Sequence, residues 1–106
     1  MTSNPESVMA DLLSRLPCSP ETPFINAAAR HGIELRADGL RERCAHGLTE
    51  HVLFLAGNDP DGAHLLLATL GEEDGATMLA VIIAESMVGH FSTRSALTCR
   101  PEWVAN

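Results

Sequence analysis

The sequence predicts an α+β domain, an antiparallel sheet of three to four strands packed with an N-terminal helix and a long helix over residues 76–91. Three observations carry that prediction. The apolar period drops from near 3.6 to near 2 after Gly32. Two short apolar runs, residues 51–56 and 63–70, flank a turn-rich cluster, Gly-Asn-Asp-Pro-Asp-Gly, at 57–62. Three acids, Glu72, Glu73 and Asp74, precede an apolar run too long for a strand. With 106 residues, 45% of them hydrophobic, the chain suits a single domain over 1–106 with enough apolar material for a core.

The first helix is expected over 5–16. Val8, Leu12, Leu13 and Leu16 share a side with Met9 beside them, and Ser3 or Asn4 can cap a start at Pro5. Pro17, Pro20 and Pro23 end it and stiffen the connector, after which Phe24, Ile25 and three alanines return to the domain. Residues 33–44 then read as a hairpin turning at Asp38-Gly39, with Ile33 opposite Cys44, Ala37 opposite Leu40 and Glu34 opposite Arg43. Leu35 would face Glu42 in that register, a misfit. The competing reading is a helix over 40–55, because Leu40, Cys44, Leu48, Val52 and Leu55 also recur at helical spacing. The runs at 51–56 and 63–70 form a second hairpin, since Asp-Pro and Asp-Gly oppose a helix through 57–62. Acids at 72–74 suit the positive end of the long helix. Its Met78, Leu79, Val81, Ile82, Ile83, Met87 and Val88 cover more than half the circumference, as burial on two sides requires. Residues 95–100 make a last strand.

Composition narrows the function. Seven Lys+Arg, all arginine and none in a run, stand against fourteen Asp+Glu, and the net charge of −7 excludes the basic footprint of a nucleic-acid or anionic-membrane binder. The acidity is uneven: residues 57–106 hold two of the seven arginines and half of the acids. Three cysteines without close spacing, and a polar N-terminus without a basic region or cleavable apolar run, point to the cytoplasm. The stretch 76–88, interrupted by Glu85, is shorter than a bilayer crossing.

No motif reads as an active site. Cys44, His46 and His51, with His31 and His64 further off, lack the spacing of a zinc site, and no cofactor or metal is expected. Cys18, Cys44 and Cys99 read as structural thiols, the acids as turn and helix-start chemistry, and Ser86 lacks a nucleophile elbow. The remaining signal is apolar surface, at Phe54, Leu66, Ile83, Met87 and Trp103.

SVMADLLSRL as first helix, HGIELRADG as first strand, the pair EHVLFLAG and HLLLATLGEED, the helix ATMLAVIIAESMVGHF and RSALTCRPEW as following strand form an ordered set. In order, length and acidity it resembles the class I chaperones of bacterial type III secretion systems, of which this would be a short or divergent member. That resemblance implies a non-enzymatic cytoplasmic homodimer that holds a segment of a secreted effector in an extended, secretion-competent path without ATP. Carried over by position, cargo would bind Leu12, Leu13, Leu16, Ile33, Leu35, Phe54 and Leu66, and the dimer would form through Met78, Ile82, Met87 and Val88. The alternative, which follows if 40–55 is helical, is an all-helical regulatory or scaffold subunit that mediates protein–protein interaction.

Overall fold

The computed structural model describes residues 4–36, 38–70 and 73–95, with the side chains of the last helix described from Asp74 to His90. Among these residues are five helices: α1 (Pro5–Arg15), α2 (Glu21–Arg30), α3 (Leu40–Leu55), α4 (Pro60–Thr69) and α5 (Glu73–Ser95). Among the described residues there is no sheet. The α+β expectation is therefore overturned, and the fold is all-helical. The strand expected at 95–100 falls, beyond Ser95, outside the described residues, as do Cys99 and Trp103.

α1 starts where proline and cap place it. Asn4 accepts the Ser7 backbone N–H at 2.8 Å through Oδ1, and its own N–H donates to Ser7 Oγ at 3.2 Å, a reciprocal cap ahead of Pro5. α2 tolerates Pro23 because a first-turn residue has no intrahelical N–H bond to lose. It buries Phe24, Ala27 and Ala28.

α3 replaces the first expected hairpin. Gly39, at φ 70° and ψ 33°, is the left-handed residue from which the helix departs, so Asp38-Gly39 is a helix start and not a strand-to-strand turn. Glu42, which opposed Leu35 uncomfortably as a strand residue, falls in the first turn, where an acid suits the helix dipole. Cys44, Ala45, Leu48, Thr49 and Val52 form the buried stripe, and Thr49 Oγ1 satisfies itself by donating to the Ala45 carbonyl at 2.8 Å. Five residues at 3.6 spacing bury more than the short alternation at 33–37 can. Ile33 and Leu35 remain in the α2–α3 loop, packed against the core.

The second expected hairpin is a helix–loop–helix. Gly57 and Asn58, at φ 72° and 63°, turn the chain left-handed, while their N–H groups cap carbonyls of α3: Asn58 donates to Leu53 at 2.7 Å and Gly57 to Phe54 at 3.1 Å. Asp59 then accepts the Asp61 N–H and Pro60 takes the first helical position of α4. The turn residues at 57–62 are thus one C-terminal and one N-terminal cap in sequence.

α5 begins at Glu73, earlier than the expected 76, and runs to Ser95. Its buried residues Ala76, Ala80, Ile83, Ala84 and Val88 are mostly small, which lets α2 lie close along it. α1 and α4 pack on α3, α2 bridges α3 and α5, and one core joins them through Val8, Leu12, Phe24, Leu48, Leu67 and Ile83. Each fully buried large side chain contributes about 1.5–3 kcal/mol over leaving it exposed.

Candidate functional site

The expected cargo-binding residues divide sharply. Leu12 is in the core, and Leu16, Ile33, Leu35 and Leu66 are half-buried against that same core. Leu13 is half-buried. Phe54, 70% exposed near the end of α3, stands apart from them on the surface. The expected dimer residues divide as well: Met78 and Ile82 are 66% and 59% exposed, Met87 is half-buried against the core and Val88 is fully buried.

Among the described residues two groups of exposed apolar side chains stand out, besides the exposed Ile25 on α2. One lies on α5, where Met78, Val81 and Ile82 fall within little more than one turn and face solvent. Beside it a cleft lined by Asp74, Thr77, Met78 and Val81 leads into a groove of about 180 Å³ between α2 and α5 that Pro23, Asn26, Ala80 and Val81 help to line. At the far end of that α2–α5 seam, Glu85 takes hydrogen bonds from Arg30 and from His31 Nε2, the latter at 3.1 Å. These two donors hold the Glu85 carboxyl below the usual carboxylate range, Arg30 having the larger effect. A second group lies at the end of α3, where Phe54 and Leu55 are exposed, with His51 edge-on to Phe54 at 6.3 Å between ring centroids; Leu65 is exposed on α4. Val81, Leu55 and Leu65 were not among the expected binding residues. Their exposure depends on which face each helix turns to the core, and composition does not carry that.

A polar cluster links α1 to α4. His64 Nδ1 lies 2.7 Å from Asp11 Oδ2 and Nε2 lies 3.0 Å from Ser7 Oγ, while Arg15 Nε donates to Asp11 Oδ1 at 2.8 Å. Burial by itself raises the Asp11 carboxyl, but the hydrogen bonds from His64 and Arg15 and their charges outweigh it and hold the group below its ordinary range. The order of atoms is that of a nucleophile–base–carboxylate relay. Ser7 is nevertheless occupied as a cap: its Oγ accepts Asn4 N–H and donates to the Asn4 carbonyl at 2.8 Å, so its one proton is drawn to two acceptors. The cluster works as a clasp between helices. Ser7, Asp11 and Arg15 follow each other at i+4 on one helix, whereas His64 comes from 53 residues beyond Asp11 and only the fold adds it.

The candidate thiol and metal residues lie apart, Cys44 buried, Cys18 and His46 exposed. Burial, with the Glu21 charge nearby, pushes the Cys44 thiol up to about 12, which suppresses the reactive thiolate. His46 pairs with Glu50 at 3.0 Å on the surface, away from the buried Cys44. Among the described residues no three histidine, cysteine or acidic side chains converge as a metal would need. No helix there is long and apolar enough to cross a membrane. Comparison with protein-family models, with curated proteins and with solved structures finds no match to this chain.

Proposed function

We propose that this protein is a non-enzymatic interaction subunit of the cytoplasm, an all-helical regulator or scaffold that binds other proteins through its apolar surfaces. The observation that carries the reading is the grouping of large exposed apolar side chains along single helices, Met78, Val81 and Ile82 on α5 and Phe54 and Leu55 at the end of α3, with Leu65 also exposed on α4. Scattered single apolar residues are ordinary on a small protein, whereas grouped ones mark contact sites. The acidic balance and unclustered arginines favour a protein partner over nucleic acid or an anionic membrane. The element order that suggested a secretion chaperone included strands that are helices here, so a partner is engaged by docking against helix faces and not by adding a strand.

A photo-crosslinking amino acid placed at position 54 in cells tests the reading, with the exposed Asp61 position as control. A discrete crosslinked product is expected at 54, absent at 61 and weakened by Leu65→Glu. Absence of any product at 54 that is not also formed at 61 overturns it.

A further inference from the structure

We propose that the exposed end of α3 docks a cationic amphipathic segment of a partner protein, one that presents arginine or lysine beside large apolar side chains. The inference rests on the interaction-subunit reading and names the chemistry of what that subunit binds. Phe54 and Leu55, consecutive in the last turn of α3, are 70% and 53% exposed. A phenyl ring left mostly in water gains free energy when another apolar side chain covers it.

Charge decides what covers it. From Cys44 to Thr93 the chain carries no lysine or arginine, yet it holds seven of the fourteen acids. Glu50 lies one turn before Phe54 on the same face of α3, their Cβ atoms about 6 Å apart. Its side chain is 67% exposed, with Oε1 at 3.0 Å from His46 Nε2. Asp59 and Asp61, both exposed, follow in the loop and first turn of α4, and Gly57 of that loop donates its N–H to the Phe54 carbonyl. The negative end of the α3 dipole falls here as well. The last turn of α3 holds no basic residue to offset it, whereas α1 and α2 close on Arg15 and Arg30.

The chain's own arginines are engaged elsewhere. Arg15 pairs with Asp11, Arg30 with Glu85 and Arg36 with Glu34. Arg41 and Arg43 stand at the opposite end of α3, about 16 to 20 Å along its axis from Phe54. A cation brought by a partner therefore meets a negative field around an apolar patch, while an acidic partner is repelled. An arginine whose stem lies across the Phe54 ring can set its guanidinium at Glu50, so one side chain answers both features.

Fluorescence anisotropy with a labelled amphipathic helical peptide of leucine and arginine tests the proposal. Its controls are the same peptide with glutamate in place of arginine, and a shuffled peptide of equal composition without an apolar face. The leucine–arginine peptide is expected to bind the full chain with micromolar Kd, the shuffled one about tenfold more weakly, and the glutamate one not at all. Salt raised from about 0.05 to 0.5 M should weaken the binding severalfold. Phe54→Ser and Glu50→Lys should each raise Kd about tenfold. Both side chains are exposed, so the far-ultraviolet circular dichroism of each variant should match the wild type. Glu34→Lys makes the same change in net charge at an exposed loop position and should leave Kd within about twofold. A wild type that ignores the leucine–arginine peptide, equal binding of the glutamate peptide, an indifferent Phe54→Ser, or equal losses at Glu34→Lys and Glu50→Lys each overturns the proposal. If that peptide fails to bind while position 54 still crosslinks in cells, the cationic partner falls and the interaction subunit stands; loss of both removes both.

Discussion

Asp11 shows how one side chain acquires a role from three neighbours. Its carboxyl is mostly covered and depressed below its ordinary range because His64 and Arg15 favour the charged form. A depressed folded-state value means the unfolded chain binds the proton more tightly. Asp11 therefore contributes stability that is present above the unfolded carboxyl range, near pH 3.9, and that disappears as pH falls through that range and below it. At neutral pH, Asp11→Asn should cost about 1 kcal/mol in urea unfolding, and the gap between variant and wild type should close as the buffer is taken toward pH 3. An Asp11→Asn variant as stable as wild type at neutral pH would show that the clasp adds nothing. The Arg15 half of this contact could be read from the i+4 spacing, whereas the His64 half could not, since it spans 53 residues.

At the scale of elements, α3 decides the fold class, and its sequence supports two periods at once. Residues 33–44 alternate well enough for a hairpin, and residues 40–55 place Leu40, Cys44, Leu48 and Val52 one helical turn apart. Local pattern alone ranks these readings closely, because a short apolar run can bury itself in either form. Packing separates them: as a helix, the segment sends three fully buried side chains, Cys44, Leu48 and Val52, into a core shared with α1 and α4. Gly47 reports the closeness of that packing on the α5 side, where an added Cβ would stand 3.1 Å from Met87 Cε and 3.5 Å from its sulfur. The methyl end of a half-buried methionine yields by a few tenths of an ångström, and alanine gains about 1 kcal/mol of helix propensity over glycine. Gly47→Ala should accordingly stabilise the protein by about 0.5 kcal/mol in chemical denaturation. A loss of stability would mean that Met87 is held rigidly. The loop at 57–62 carries the same lesson, since the residues that stop helices also cap them, and Gly-Asn followed by Asp-Pro is one stop and one start.

Among the described residues the molecule divides its apolar side chains between a core and exposed positions, and substitutions should separate the two classes. Leu48→Ala, at a fully buried position, should cost about 2–5 kcal/mol. Phe54→Ala, at a side chain 70% exposed, should stay within about 0.5 kcal/mol of wild type in the same denaturation experiment. A large penalty at Phe54 would place it in the fold's own stability and remove it from the binding surface. Of the eleven residues proposed from sequence for cargo or self-contact, Phe54, Met78 and Ile82 are the ones whose large side chains stand mainly in solvent. Leu12 and Val88 have the same chemistry and lie in the core. Hydrophobicity is identical in the two settings, so it cannot tell a contact site from a core position.

The sequence by itself determined the acidity, the apolar content, and the start of α1, where Asn4 and Pro5 act within a single turn. Those properties are sums or local contacts. It also held the helical face of α3 as one of two periods, and the acids that begin α5. Tertiary structure decided the rest: that α3 is helix, that His64 closes on Asp11, and that Met78 and Ile82 face out while Val88 faces in. The physical reason is common to all three. Each depends on which faces of distant segments bury one another, a choice made by the free energy of the whole core and not by any window of the chain.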